Sequence, residues 1–137
     1  MILSNGIIEP GNRIGNYLIG SDKQEILDRA GEAIHVWERG DGFCIYTYEN
    51  YMLWFDEKGC LCQIGVTKGF LDGYNNIYIG STMQDVIKIY GTYENDDVQY
   101  LIPNINGICF ELEDVDDYDD DWDELTAPIE WIFVYKC

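Results

Sequence analysis

Two hydrophobic patterns recur along the chain, each of them twice and in the same order. Apolar residues spaced three or four positions apart, as on one face of a helix, occur in residues 26–30 and 83–90. Alternation of apolar and polar residues, which is typical of half-buried strands, follows each of these stretches. It covers residues 33–39, 43–49, 51–56, 60–67, 97–102, 107–113 and 129–136. The pattern therefore predicts two short helices, each followed by several strands.

The two predicted helices belong to an internal repeat. Residues 16–31 align without gaps with residues 76–91, and six of the sixteen positions are identical. In each copy a serine that can cap the helix start is followed three residues later by a glutamine, and a glycine ends the helix. These positions are Ser21, Gln24 and Gly31 in the first copy, and Ser81, Gln84 and Gly91 in the second.

The repeat predicts an α+β fold. Helices of about three turns do not persist alone in water, so they are expected to pack on one face of a sheet. The predicted architecture is a tandem repeat of a short helix followed by an antiparallel β-meander. With 137 residues the chain is expected to form a single domain, with repeats at about 14–70 and 74–137. An acidic loop over residues 111–127 is inserted in the second repeat.

The acidic loop is the strongest departure from the repeat. Ten of the fourteen residues from 111 to 124 are Asp or Glu and none is basic, yet Tyr118 and Trp122 lie among them. Dense negative charge with exposed rings is typical of a surface that meets a basic partner. The alternative is a solubilising loop whose rings fold back onto the body of the protein.

Charge excludes some partners and favours others. The formal net charge is −18, and −8 would remain without the ten acids of the loop. Such a field repels nucleic acid and anionic membranes and attracts basic proteins. The first residues show no basic segment and no long apolar run, so the expected location is the cytosol. Five cysteines, an odd number, favour free thiols over a disulfide framework.

The residues offer little for catalysis or for metal binding. His35 is the only imidazole, and it lies in a strand pattern where a structural role is the commoner one. A calcium loop starting at Asp117 would place Trp122 where glycine is required and Pro128 where glutamate is required. We therefore predict no enzymatic activity, no cofactor and no metal site.

Aromatic residues in the first meander give a second candidate surface. Tyr46, Tyr48 and Trp54 alternate with smaller residues in strand patterns, and some of them are expected on the sheet face away from the helices. Packing in the core is the alternative for each ring.

Two resemblances bear on function. The repeat starts, with their Ile-Gly-Ser segments at residues 19–21 and 79–81, resemble those of the beta-lactamase inhibitory protein and of small outer-membrane assembly lipoproteins. The chain lacks the paired cysteines and the lipobox of those families. In its acidity and its richness in Tyr, Trp and Asp, it is similar to bacterial immunity proteins, including those of contact-dependent growth inhibition systems.

These resemblances imply a bacterial cytosolic immunity protein that binds and neutralises a basic toxin, with a nuclease as the leading candidate. The alternatives are a non-catalytic adaptor or assembly module that binds through its sheet face, and an acidic nucleic-acid mimic that inhibits a host enzyme. The predicted partner-binding residues are Asp116, Asp117, Tyr118, Asp119, Asp120, Asp121, Trp122, Asp123, Glu124, Tyr46, Tyr48 and Trp54.

Overall fold

Strands make up most of the regular structure of this protein. The computed structural model describes residues 2–115 and 121–136. Within them lie a three-stranded sheet, an eight-stranded sheet and two helices of eight residues each.

The eight-stranded sheet is antiparallel throughout, with the strand order β4-β5-β6-β7-β11-β10-β9-β8. Neighbours along the chain pair from β4 to β7 and from β8 to β11, and β7 pairs with β11 at the centre. The strands are β4 (His35–Glu38), β5 (Cys44–Thr47), β6 (Tyr51–Phe55), β7 (Leu61–Val66), β8 (Glu94–Asp96), β9 (Gln99–Leu101), β10 (Ile108–Leu112) and β11 (Ile129–Tyr135).

A small sheet at the start of the chain adds to the same core. Its strands are β1 (Ile8–Glu9), β2 (Arg13–Ile14) and β3 (Tyr17–Leu18). The backbone N–H of Gly11 donates a hydrogen bond of 3.0 Å to the carbonyl of Gly107, which ties the small sheet to the segment before β10.

Both helices end where the sequence predicts, but they begin one residue later than expected. The helix α1 (Lys23–Ala30) is capped by Asp22, and α2 (Met83–Tyr90) is capped by Thr82. Thr82 and Asp85 form a reciprocal capping box, which satisfies two backbone N–H groups that have no partner inside the helix. The predicted serine caps are therefore wrong, whereas Gly31 and Gly91 are confirmed as the terminating glycines.

One face of the large sheet carries the hydrophobic core. Every second residue of the central strands is fully buried, for example Leu53, Ile64 and Val134. These side chains cluster with Ile26 of α1 and Val86 of α2. Because side chains alternate between the two faces of a strand, the other residues of these strands point away from both helices.

The predicted fold class is wrong. The protein is mostly β, with two sheets and only two short helices, rather than an α+β tandem repeat of a helix and a meander. Each predicted strand segment does contain a strand, but β1, β2, β3 and β8 were not predicted. Strands of two or three residues are too short for an alternating pattern to be visible. The limits of the two repeats stay a prediction.

Candidate functional site

The face of the large sheet that points away from the helices carries a row of large aromatic side chains. Strand register places Trp54 of β6 on this face, and Phe133 of β11 lies across β7 from that strand. Trp131 and Tyr135 lie two residues to either side of Phe133 in β11, so their side chains are on the same face of the sheet. Trp37 of β4 is on this face too, because Ile45 of β5 pairs with both Trp37 and Trp54. We call this surface the aromatic face and define it by Trp37, Trp54, Trp131, Phe133 and Tyr135.

Phe133 is the centre of the aromatic face. Its ring lies parallel to that of Trp131, with 8° between the planes and 5.8 Å between the centroids. Trp54 meets the same ring edge to face, at 79° and 5.7 Å. Both arrangements are ones that aromatic pairs favour, and each adds about 0.5–1.5 kcal/mol beyond the burial of area.

A glycine beneath Phe133 lets this ring lie flat on the sheet. Gly65 of β7 pairs directly with Phe133, and a Cβ atom on Gly65 would lie 2.7 Å from the ring carbon Cε1. Cys109 of β10, the strand on the opposite flank of β11 from β7, also pairs with Phe133, and its thiol is buried. Burial is the larger cause, and the charge of Glu111 the smaller one, that raises the pKa of this thiol to about 12. The ring of Phe133 therefore packs closely on Gly65, and the neighbouring thiol of Cys109 is shielded from solvent.

The aromatic face remains open to solvent at one edge and acidic at the other. Trp37 lies on the edge strand β4 and is 52% exposed, next to the exposed His35. At the opposite edge, Glu94 and Asp96 of β8 are exposed. A large apolar surface with an acidic margin is the kind of patch that marks an interaction site.

Of the three predicted sheet aromatics, only Trp54 lies on the aromatic face. Tyr48 is buried on the helix side, where it stacks on Tyr51 at 4.5 Å and its hydroxyl donates to the carbonyl of Gly31 at 3.1 Å. Burial raises the pKa of Tyr48 to about 12. Tyr46 packs against the core with its ring edge on Phe55, at 5.6 Å.

The described part of the acidic loop folds back onto the body. The indole N–H of Trp122 donates to the carbonyl of Glu113 at 2.9 Å, and the ring packs partly buried against the core. Glu124 accepts a hydrogen bond from the hydroxyl of Tyr93. Burial and this bond raise the pKa of Tyr93 to about 12.

The remaining loop residues divide into two groups. Asp121 and Asp123 are exposed. Asp116, Asp117, Tyr118, Asp119 and Asp120 lie outside the described residues. That the loop residues bind a partner stays a prediction.

Four of the five residues of the aromatic face, namely Trp37, Trp131, Phe133 and Tyr135, were not among the predicted site residues. The signal was present in β11, where Trp131, Phe133 and Tyr135 alternate with Ile132 and Val134. Aromatic residues at one parity and aliphatic residues at the other indicate two apolar faces of different character.

Other kinds of site find little support among the residues described. In residues 2–115 and 121–136 no group of three or more His, Cys, Asp or Glu residues is placed to hold a metal ion. Neither described helix has the length and apolar character needed to cross a membrane. Cys44, Cys60 and Cys109 are free thiols in the described part of the chain. That the cysteines form no disulfide framework stays a prediction.

Comparison with known proteins identifies structures that share the fold. No family model and no curated protein matches the chain. An extracellular protein containing a SCP domain from Bacillus anthracis str. Ames aligns over 95% of this chain and 50% of its own length, with 15% identity and a TM-score of 0.51. A cysteine-rich secretory protein from Staphylococcus aureus subsp. aureus Mu50 aligns over 99% of this chain and 51% of its own length, with 16% identity and a TM-score of 0.53. The chain thus spans about half the length of each, and the likeness concerns the fold.

These neighbours contradict the family and the function inferred from composition. They are SCP-type proteins and not immunity proteins, so the resemblance to contact-dependent growth inhibition immunity proteins and the predicted toxin neutralisation are wrong. The likeness to the beta-lactamase inhibitory protein and to outer-membrane lipoproteins is not what the comparison finds either. The expected cytosolic location is contradicted as well, because one protein with this fold is described as extracellular.

Proposed function

We propose that this chain is a non-catalytic accessory domain whose aromatic face packs against an SCP-type domain, in the same polypeptide or in a complex. The observation that carries the proposal is the cluster of Trp54, Phe133 and Trp131 on a sheet face that points away from both helices. Aromatic residues that stay partly exposed in one cluster are the residue types that dominate protein interfaces.

The area of the aromatic face favours a partner that is tethered to this chain or present at high local concentration. Eight strands spaced about 4.8 Å apart, with about five residues each at about 3.3 Å per residue, give a face of roughly 600 Å². A stable interface between separate proteins buries about 800 Å² on each partner. A face of this size therefore gives modest affinity on its own, and a partner tethered nearby at an effective concentration of about 1 mM would occupy it.

The fold neighbours support an SCP-type domain as the proposed partner. This chain corresponds to half of each neighbour, and one of those proteins is described as containing a SCP domain. In both neighbours the matching segment is about half of the polypeptide, and the other half is a further part of the same chain. We therefore take an SCP-type domain as the occupant.

Charge sets a further requirement on the partner. The net charge is −18, and the carboxylates of Glu94 and Asp96 lie at one margin of the aromatic face. A docking surface that is apolar at its centre and basic at its rim would match this pattern and would associate faster at low salt.

The described side chains support a non-catalytic role. His35, the only imidazole, is exposed on an edge strand. The thiol of Cys109 has its pKa raised to about 12, so it is not a thiolate at neutral pH, and a thiol is a poor nucleophile. General acid and base catalysis needs groups that titrate near the working pH, and the Cys109 thiol does not.

The experiment is calorimetric titration of this chain with an SCP-type domain from the same organism. The variants Trp54→Ala and Trp37→Ala remove rings from the aromatic face, and Leu71→Ala, at a residue that is 71% exposed in the segment after β7, is the matched control. We expect each Trp variant to weaken binding by about thirtyfold, the effect of losing about 2 kcal/mol, and the control to bind as the parent does. Circular dichroism of each variant verifies the fold.

Two results would overturn the proposal. One is binding that is equally tight in the parent and both Trp variants, since the partner would then lie elsewhere. The other is a dimer of this chain that Trp54→Ala dissociates, which would make a second copy the occupant of the face. Light scattering of the chain alone separates these results.

A further inference from the structure

A second surface of the protein has the opposite electrostatic character. A cleft of about 500 Å³ lies between the N-terminal segment, the turn from β2 to β3 and helix α1. Its walls include Arg13, Tyr17 and Arg29, and its floor includes Gly6 and Gly15. The cleft lies apart from the aromatic face, because these elements pack on the helix side of the large sheet.

The composition of the cleft is unusual for this chain. The protein has 26 acidic residues and 8 basic ones, and only three of the basic residues are arginines. Two of those three, Arg13 and Arg29, line this cleft, and none of its lining residues is acidic. Positive charge has been concentrated at one place in a strongly negative molecule.

Arg29 is oriented by contacts that leave most of its donors available. Its Nη1 donates to the carbonyl of Asn16 at 2.9 Å, and the guanidinium carbon lies 5.6 Å from the centroid of the Tyr17 ring. A guanidinium group has five N–H donors, and the bond to Asn16 uses one of them. The Tyr17 contact and this bond orient the charged group in the lining of the cleft.

Arg13 supplies the second charge from a more buried position. Its Nε lies 2.9 Å from a carboxylate oxygen of Glu9, but within the described residues this buried N–H has no aligned hydrogen-bond acceptor. The same oxygen of Glu9 accepts a hydrogen bond of 2.6 Å from the side chain of Asn12. Arg13 therefore forms an ion pair with Glu9 through Nε, whereas Arg29 has no carboxylate partner among the contacts described.

Two glycines shape the floor of the cleft. A Cβ atom on Gly6 would lie 2.6 Å from the Cα of Gly15, so the two segments cross at a distance only glycine allows. Gly15 also has a φ of 60°, in the left-handed region that favours glycine. No side chain could be added at Gly6 without a clash with the backbone of Gly15.

From this geometry we infer that the cleft binds a small oxyanion, namely a carboxylate or a phosphate group carried by a ligand. Guanidinium groups match both anions through paired N–H donors, and such charge-assisted bonds are roughly twice as strong as neutral ones. The negative charge of most of the surface disfavours anion binding away from the cleft.

The test uses the side-chain Nε–H signals of arginine in nitrogen-15 NMR spectra. The chain has three arginines, so three signals are expected. The probes are inorganic phosphate and acetate, titrated separately at an ionic strength held constant with sodium chloride. The control signal is that of Arg39, which pairs with Asp41 at 2.5 Å in the turn between β4 and β5.

We expect the signals of Arg13 and Arg29 to shift and saturate with a dissociation constant of about 1 mM, a range typical of very small ligands. The signal of Arg39 should stay in place. The variant Arg29→Gln should weaken binding at least about tenfold, whereas Arg39→Gln should leave it unchanged. Saturation by phosphate alone identifies a phosphate-bearing ligand, and saturation by acetate alone identifies a carboxylate.

Two outcomes would overturn the inference. Equal, unsaturated shifts of all three arginine signals would show general screening. Binding that persists in Arg29→Gln would place the anion elsewhere. Because Arg29 is exposed, its replacement should not unfold the protein, and the Arg13 signal in that variant reports on the cleft directly.

Discussion

The packing of Phe133 over Gly65 gives the most demanding test of the aromatic face as the structure describes it. A methyl group at position 65 would lie 2.7 Å from Cε1 and 2.8 Å from Cδ1 of Phe133, and 3.4 Å from a carbon of Trp131. Ordinary van der Waals contact begins near 3.4 Å, so Phe133 would have to move by roughly 0.7 Å. It has little room, because Trp131 stacks on it and Trp54 meets it edge to face.

The variant Gly65→Ala has two opposing effects on the free energy of unfolding. Overpacking a filled site typically costs about 1–3 kcal/mol. Replacing glycine by alanine also lowers the entropy of the unfolded chain, which stabilises the protein by about 0.4–1 kcal/mol. We expect the clash to win, with a net loss of roughly 0.5–2 kcal/mol.

The matched control is Gly40→Ala in the turn between β4 and β5. No atom lies within 4 Å of a Cβ at position 40, and its φ is outside the left-handed region. It should show only the entropic gain, so the two variants are expected to change stability in opposite directions.

Urea unfolding followed by tryptophan fluorescence measures both variants, and near-ultraviolet circular dichroism reports on the stacked rings. Gly65→Ala should lower the unfolding midpoint and weaken the aromatic dichroism in the folded state. An unfolding midpoint for Gly65→Ala at or above that of Gly40→Ala would refute the packing described for Phe133.

Three further predictions follow from single contacts. Tyr48 and Tyr93 have pKa values raised from 10 to about 12, so their contribution to stability is complete below pH 10 and is lost as pH rises through about 12. The variants Tyr48→Phe and Tyr93→Phe should each remove tyrosinate absorbance that appears near pH 12 in an alkaline titration, and removal of absorbance near pH 10 instead would contradict this. The buried thiol of Cys109, with a pKa near 12, should react with a thiol reagent only after unfolding, whereas the partly buried Cys60 should react in the native protein. Thr82→Ala removes the capping box of α2 and should cost about 0.5–2 kcal/mol in urea unfolding; an unchanged midpoint would show that the cap contributes nothing.

Prediction from sequence succeeded where burial imposes a period of two. The alternating segments located β4 to β7 and β9 to β11, because each strand buries one face against the core. The strands of the small sheet are two residues long and show no period. They are defined by backbone pairing and by glycine turns, as at Gly15, which a hydrophobic pattern does not reveal.

The candidate site was predicted less well than the strands. Alternation separates the residues of a strand into two sets but does not say which set faces the helices, so Tyr46 and Tyr48 were grouped with Trp54 although they lie on the opposite face. Trp122 was expected at a partner surface, yet its ring packs against the core and its indole N–H donates to the backbone carbonyl of Glu113. Such contacts depend on the path of the chain in three dimensions.

The functional prediction failed because composition was given too much weight. A net charge of −18 bears on solubility, on steering and on the charge of partners, but not on fold or family. Folds of unrelated function can share a strongly acidic surface, and function has to be argued from a site.

The most direct test of the aromatic face as a docking surface is an NMR titration of the four tryptophan indole N–H signals with an SCP-type domain. We expect the signals of Trp37, Trp54 and Trp131 to shift or broaden on binding. The signal of Trp122 should stay in place, because it lies off the face and donates to Glu113. A shift of the Trp122 signal with the other three unchanged would contradict docking through the aromatic face. It would indicate that the partner binds at the acidic loop.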